Sequence, residues 1–172
     1  LVTNTTGADN TAFGYAALKD NTTATRNTAV GSDTLTTNTT GDSNTAIGKA
    51  ALNGNTTGAY NNALGYLALY NNTTANYNNA LGYEALKDNT TGASNVAIGK
   101  GALEKNTTAS NNTAVGHQAS LANTTGFSNV SVGAGASTVS TIADKCVSIG
   151  VDSHLRLTEG DENTAVGNQA GA

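Results

Sequence analysis

The chain repeats one pattern every 17 residues, and this period constrains the fold more than any other feature of the sequence. Two consecutive copies, NTTGDSNTAIGKAALNG and NTTGAYNNALGYLALYN, cover Asn38–Gly54 and Asn55–Asn71. One glycine recurs at this interval without an insertion, at Gly14, Gly31, Gly48, Gly65, Gly82, Gly99, Gly116, Gly133, Gly150 and Gly167. Self-similarity at a short fixed period is typical of solenoids, whose units bury their apolar sides against neighbouring units. The repeat therefore predicts one continuous array.

Each copy contains a strand-like segment just before this glycine. In the second copy, Thr28 and Val30 alternate with Asn27 and Ala29, as expected when successive side chains point to opposite faces of a sheet. Seventeen residues are too few for a pair of helices, but they suit a coil of two short strands and two turns. We therefore expect an all-β fold, a repetitive β-solenoid of about ten 17-residue rungs.

The repeats predict a single domain over residues 1–172, with a divergent cap or transition over residues 137–172. The segment Ala16–Asp20 and its equivalents are expected to supply the second strand. A short helical turn is the alternative, because Ala, Leu and Lys are good helix formers. The chain begins with Leu1 and lacks Met, so we expect either a mature product or an excised part of a longer protein.

Composition favours a hydrogen-bonded ladder over a bulky core. Apolar residues make up 37% of the chain and charged residues 12%, against roughly 45–50% and about 25% in ordinary globular domains. Proline is absent and the net charge is only −4, unlike the composition of most disordered chains. The charges form no basic face, so no nucleic-acid partner is expected. No apolar run reaches the roughly 20 residues of a membrane span.

Asparagine recurs at two positions of the repeat. One lies in the strand segment and predicts a structural ladder of stacked amides, at Asn10, Asn27, Asn44, Asn61, Asn78, Asn95, Asn112, Asn129 and Asn163, with Cys146 in the remaining copy. The other begins the Asn-Thr-Thr triplet and predicts chain corners. The triplet also matches the N-glycosylation pattern, so in a eukaryotic secretory setting it predicts sugars at Asn4, Asn21, Asn38, Asn55, Asn72, Asn89, Asn106 and Asn123.

The strings NVAIGKGA, NVSVGAGAS and CVSIGVDS resemble the repeats of trimeric autotransporter adhesin heads, and the wider NTALGYxALxxNTTG pattern resembles repeat shafts of phage tail fibres. This resemblance implies a left-handed parallel β-roll in a trimeric fibre, with a role in attachment, adhesion or spacing outside the cell. Each rung also offers little apolar area, so association of several chains would bury a second apolar row. We therefore expect a homotrimer, with a cell-surface polysaccharide or receptor as a further partner.

Few residues suggest chemistry. His117 and His154 occupy non-equivalent positions without recurring partners and are expected on the surface. Cys146 has no neighbouring histidine, and a single cysteine excludes an internal disulfide framework. We interpret it as a small substitution in the asparagine ladder. The sequence thus predicts a structural fibre or shaft segment without enzymatic activity, metal or cofactor.

Two repetitive surfaces suggest ligand binding as the alternative function. The tyrosines cluster in two adjacent copies, at Tyr60, Tyr66, Tyr70, Tyr77 and Tyr83, of which two pairs share repeat positions and should stack about 4.8 Å apart. The stacks either stabilise the ladder or bind carbohydrate. Regular Thr columns suggest ice binding, at Thr5, Thr22, Thr39, Thr56, Thr73, Thr90, Thr107 and Thr124. In adjacent Thr-Thr pairs, however, one hydroxyl should point inward, leaving a single outer column.

Overall fold

The tripeptides before the repeating glycines form ten parallel strands in a computed structural model that describes residues 1–154 and 159–171. The strands are β1 (Thr11–Phe13), β2 (Thr28–Val30), β3 (Thr45–Ile47), β4 (Asn62–Leu64), β5 (Asn79–Leu81), β6 (Val96–Ile98), β7 (Thr113–Val115), β8 (Val130–Val132), β9 (Val147–Ile149) and β10 (Thr164–Val166). They form one sheet in chain order. Residues 17 apart are partners, as Ala46 is with Ala63. The predicted all-β solenoid of about ten rungs is therefore confirmed.

The second half of each copy is a series of turns. Among the described residues there is one three-residue strand per copy and no helix, so both predictions for Ala16–Asp20, a strand or a helical turn, were wrong. In this segment Ala16 and Leu18 adopt left-handed conformations, with φ of 55° and 48°, and the equivalent residues of later copies do the same. Alternating left-handed residues bend the backbone sharply, which lets so short a coil close around a core one leucine wide.

Backbone hydrogen bonds between rungs continue outside the sheet. In the turn segment the Leu69 N–H donates to the carbonyl of Ala85 at 3.0 Å, and at the Asn-Thr-Thr corner the Thr56 N–H donates to the carbonyl of Thr73 at 2.9 Å. The coil is thus bonded to its neighbours on more than one side. A chain with few large side chains can be held together by such collective bonding, because few backbone groups are left unsatisfied.

The interior of the coil is narrow and consists of identical side chains in columns. Its largest members are fully buried leucines, at Leu18, Leu35, Leu52, Leu69, Leu86 and Leu103. Alanines from the strands and the turns fill the remaining space, as Ala63 and Ala68 do. In the later copies Ser120, Ser137 and His154 take the position of leucine and are also buried.

His154 therefore does not lie on the surface as predicted, since only 5% of it is exposed. The column of leucines explains the error: a residue 17 positions after a core residue faces the core whatever its polarity. His117 follows a repeating glycine and is exposed, as expected. Residues 155–158 and 172 of the predicted divergent segment lie outside the described residues.

The repeating glycine is required by close backbone contact between rungs. Gly82 has a φ of +142°, and a Cβ atom at this position would lie 2.5 Å from the carbonyl oxygen of Gly99. No other residue fits such a site without moving the backbone. The glycine therefore sets how closely successive coils can stack, which accounts for its presence in every copy.

Candidate functional site

The outer face of the sheet carries an exposed apolar column along the described solenoid. It consists of the third residue of each strand, namely Phe13, Val30, Ile47, Leu64, Leu81, Ile98, Val115, Val132, Ile149 and Val166, and we call this set the apolar strip. At its centre Leu64 and Leu81 are 43% and 44% exposed, and an open groove of about 340 Å³ runs beside them. Large exposed apolar patches on proteins mark interaction surfaces. The strip is therefore the main candidate site.

The strip lies outside because the strand is only three residues long. The middle residue of each strand points inward and is buried, as Ala46 and Ala63 are, so the residues on either side of it must point outward. The first residue of the strand is Thr, Asn or Val, and the third is aliphatic or aromatic. A polar or mixed column thus lies beside the apolar strip on the same face.

The tyrosines predicted to bind glycan flank the strands along the chain, as Tyr60 precedes β4 and Tyr66 follows it. Tyr60 stacks on Tyr77 with ring centroids 5.1 Å apart and an interplanar angle of 5°. Tyr66 stacks on Tyr83 at 5.2 Å and 22°. The expected stacking of both pairs is thus confirmed. Tyr70 is half-buried and joins neither stack.

Stacking changes what the tyrosines can offer to a ligand. One face of each ring is covered by its partner, and the Lys100 ammonium lies 5.7 Å from the centroid of the Tyr83 ring. The four stacked tyrosines nevertheless remain 40–57% exposed. Each pair therefore contributes to the ladder and leaves only part of its ring surface open to a ligand.

The strand asparagines form a ladder that differs in detail from the predicted one. The Oδ1 atom of Asn27 accepts the backbone N–H of Asn44 at 2.9 Å, and the Asn44 Nδ2 donates to the Gly58 carbonyl at 2.8 Å. The same two contacts recur in most copies, so the amide binds mainly backbone groups. Each asparagine of this ladder directly precedes a strand and connects the start of that strand to the Asn-Thr-Thr corner of the adjoining coil.

Direct amide-to-amide stacking occurs instead at the triplet asparagines, for which the sequence suggested corners and sugars. The Asn72 Nδ2 donates to the Asn55 Oδ1 at 2.9 Å and to the Ala75 carbonyl at 3.1 Å. Its own Oδ1 accepts from the Asn89 Nδ2 at 3.0 Å. Among the described residues, no buried side-chain nitrogen or oxygen lacks a hydrogen-bond partner.

This geometry argues against sugars on the folded chain. The nitrogen that would carry a sugar is buried and already hydrogen-bonded at Asn21, Asn38, Asn55, Asn72, Asn89, Asn106 and Asn123. Asn4 is exposed, although its Nδ2 donates to the Gly7 carbonyl at 2.9 Å. A sugar at a buried position would need the coil to open.

Cys146 occupies the ladder position, as the sequence indicates. Its backbone N–H donates to the Asn129 Oδ1 at 2.8 Å, and its Sγ lies 3.3 Å from the Gly160 carbonyl. The thiol thus takes the place of the amide nitrogen. Because the residue is buried and engaged in this way, the structure supports a packing role.

One hydroxyl of each Thr-Thr pair is bonded and the other is free, as expected, but the bonded one belongs to the column that the sequence suggested for ice binding. The first hydroxyl of each triplet donates to a carbonyl of the next rung, as Thr56 does to Thr73 at 3.0 Å. The second threonine is exposed, as Thr57 is. One outer column of hydroxyls remains, which is narrower than a flat ice-binding array would need.

His154 contacts a serine inside the coil. Its Nδ1 lies 2.5 Å from the Oγ of Ser148, and burial holds its pKa below the ordinary value of 6.5. Both side chains are buried, so a substrate cannot reach this hydroxyl. The pair fills the core where earlier copies have leucine, and it lacks the access that a nucleophile needs.

Charged side chains of adjacent rungs form ion pairs around the half-buried Glu104. The Glu104 carboxylate accepts from Lys87 at 2.9 Å and lies 3.0 Å from the Lys105 ammonium. Although burial favours the neutral acid, these hydrogen bonds lower the pKa of Glu104, and they raise the pKa of both lysines. Lys105 is exposed, and a pair made by such a side chain contributes little stability.

Within residues 1–154 and 159–171 there is no cluster of three or more metal-ligating side chains and no helix that could cross a membrane. Comparison with known proteins finds no matching family model, curated protein or solved structure. The candidate function therefore rests on the geometry of the solenoid and of its surface.

Proposed function

We propose that this chain is a non-enzymatic shaft segment of an extracellular fibre, which assembles as a homotrimer through the apolar strip and serves in attachment or spacing. The observation that carries the proposal is the strip itself, an apolar residue on the outer face of every rung. At about 4.8 Å per rung the strip is roughly 43 Å long. An apolar surface of this length is costly to leave in water, and a straight partner of equal length would cover it.

A second copy of the same chain matches the strip best, because it offers an identical column with an identical spacing. Three copies around an axis parallel to the solenoid would bury all three strips together. The resemblance of the repeats to trimeric adhesin heads supports the number three. The buried cores and backbone bonding of each chain would remain unchanged, so assembly would add stability without refolding.

Light scattering of the purified chain tests this proposal. We expect a particle of three times the 17.1 kDa chain mass. Leu64→Glu combined with Leu81→Glu should give monomers, because a charge in each strip would be desolvated on assembly. Thr57→Glu combined with Thr74→Glu, on an exposed column away from the sheet, is the matched control and should remain trimeric. A wild-type mass of one chain would overturn the proposal.

Carbohydrate binding is the second candidate, because four exposed tyrosines on two adjacent rungs border the sheet face. Ring edges and hydroxyls can contact sugars, and tyrosine is well suited to surfaces with one apolar and one wet side. If the surface binds a glycan, Tyr66→Ala with Tyr83→Ala should abolish the glycan-array signal while circular dichroism shows that the solenoid remains folded. An unchanged signal would remove this candidate.

A further inference from the structure

The stacked tyrosines bring pairs of phenol rings from adjacent rungs together at the surface. Tyr60 and Tyr77 are 49% and 57% exposed, and their ring centroids lie 5.1 Å apart. The rings are almost parallel. Tyr66 and Tyr83 form a second exposed pair at 5.2 Å. Small reagents in solution can therefore reach both rings of a pair while the rings remain in contact.

The backbone holds the first pair in this position. Tyr60 and Tyr77 have nearly the same left-handed conformation, with φ of 59° and 62°. The Tyr60 N–H donates to the Asp42 carbonyl at 3.0 Å, and the Tyr77 N–H donates to the Ala59 carbonyl at 3.2 Å. Both residues are thus bonded to the preceding rung in equivalent ways. Two reacting groups held so close react far faster than the same groups free in solution.

We propose that Tyr60 and Tyr77 are a site of oxidative cross-linking, at which a peroxidase-type one-electron oxidant with hydrogen peroxide forms dityrosine within one chain. Each phenol loses one electron and one proton, which gives two phenoxyl radicals. The radicals join through a carbon–carbon bond between the positions ortho to their oxygens. Each ortho hydrogen then moves to the oxygen of its own ring and restores the phenol. Two tyrosines and one hydrogen peroxide thus give one dityrosine and two waters.

The structure favours Tyr60–Tyr77 over the second pair. The rings of Tyr66 and Tyr83 are inclined by 22°, and the Lys100 ammonium lies 5.7 Å from the Tyr83 centroid. A nearby positive charge opposes removal of an electron from this ring. Tyr15 and Tyr70 take part in neither stack of the described chain, so they should not couple within it.

The link would join adjacent rungs covalently in the part of the solenoid where the tyrosines cluster. A cross-link between residues on successive coils restricts the unfolded chain, as a disulfide does. A fibre exposed to an oxidising environment would become harder to unwind. This inference does not depend on trimer formation, because both rings belong to one chain.

Peroxidase treatment of the dilute, folded chain tests the proposal. We expect an intact mass lower by two hydrogen atoms, dityrosine fluorescence, and a cross-linked peptide that contains Tyr60 and Tyr77. Tyr60→Phe should lose this peptide, whereas Tyr70→Phe should retain it. Circular dichroism of each variant before oxidation confirms that the solenoid is intact, and a refolded mixture of isotopically labelled and unlabelled chains separates links within a chain from links between chains.

Other results would overturn the assignment. These are the absence of dityrosine in the folded wild-type chain, a link found only between chains, a link at Tyr66–Tyr83 alone, and an equal yield of the Tyr60–Tyr77 peptide from chain unfolded in urea. The last result would show that the stacked geometry has no influence on the coupling.

Discussion

Each buried triplet asparagine contacts the rungs on both sides of it through one short side chain. Asn72 donates to Asn55 and accepts from Asn89, and it also donates to the carbonyl of Ala75. Asparagine can donate and accept at once with little flexibility to lose, which suits a column of repeated amides. The stability of the coil therefore depends on individual amides whose loss leaves several buried partners unsatisfied.

We predict that Asn72→Ala lowers the free energy of unfolding by about 2–3 kcal/mol, because it leaves buried groups of three residues without their partner. Asn62→Ala is the matched control. Asn62 donates to Asn79 at 2.8 Å, but on the exposed face, where water replaces the lost contact. Asn62→Ala should therefore lower the free energy of unfolding by no more than about 0.5 kcal/mol. Urea denaturation measures both, and equal losses would contradict the role given to the buried ladder.

His154 gives the chain a dependence on acidity. Burial holds its folded pKa below the 6.5 of the free side chain, so the unfolded chain binds a proton more readily. The stability of the fold with neutral His154 is fully present above the pKa that His154 has in the unfolded chain. It is lost as the pH falls below 6.5 towards the lower pKa of His154 in the folded chain. The melting temperature should therefore decrease when the pH is lowered from about 7.5 to about 5.5.

His154→Leu restores the residue of the earlier copies and should remove most of this pH dependence. His117→Asn, at an exposed position, should leave it unchanged. Thermal unfolding followed by circular dichroism at both pH values is sufficient. The same pH dependence in His154→Leu and in the wild-type chain would show that another group is responsible.

Residue positions within the repeat could be predicted from the sequence, but their contacts could not. The period places His154 in the column of Leu103, so its burial was readable once a core column was assigned. Which asparagine column stacks amide on amide and which one binds backbone groups could not be predicted. It depends on whether an amide meets another amide or a backbone group on the next rung, and only the backbone path decides that.

At the scale of the elements, the turns determine how the coil closes. Each copy needs left-handed residues at fixed positions, and glycine occupies only some of them. Strand and helix propensities of Ala and Leu give no sign of this conformation, since these residues seldom adopt it. Closure of a 17-residue coil imposes it here, which is why the turn segment was mispredicted while the strand before Gly65 was predicted correctly.

Gly82 and Gly101 both have positive φ, but only at Gly82 would a Cβ atom clash with the backbone of the next rung. Gly82→Ala should destabilise the fold by at least about 3 kcal/mol, because its Cβ would meet the Gly99 carbonyl oxygen at 2.5 Å. Gly101→Ala should change stability by no more than about 1 kcal/mol. Gly101 has a φ of +64°, and other copies place alanine there, as at Ala16 and Ala50.

Chemical denaturation of the two variants beside the wild-type chain measures this contrast. A similar loss in both would mean that left-handed geometry alone, and not the approach of successive coils, requires glycine at position 82.

At the scale of the whole molecule, the central claim is that residues 17 apart lie directly above one another along one axis. The sheet register shows this for every strand pair, and the ladders repeat it for side chains. The apolar strip, the stacked tyrosines and the proposed fibre all follow from this arrangement. This arrangement could be predicted from the period alone, because an interval of 17 residues without an insertion keeps equivalent residues in register.

Spin-label distances in solution test this claim most directly. With Cys146→Asn as background, labels go on the exposed Thr column, with Thr23→Cys paired in turn with Thr91→Cys, Thr108→Cys and Thr125→Cys. Labelled chains are diluted with unlabelled ones so that only distances within a chain are measured. In-register rungs predict narrow distributions near about 19, 24 and 29 Å, a rise of about 4.8 Å per rung. Distances that fail to rise in equal steps would contradict the account.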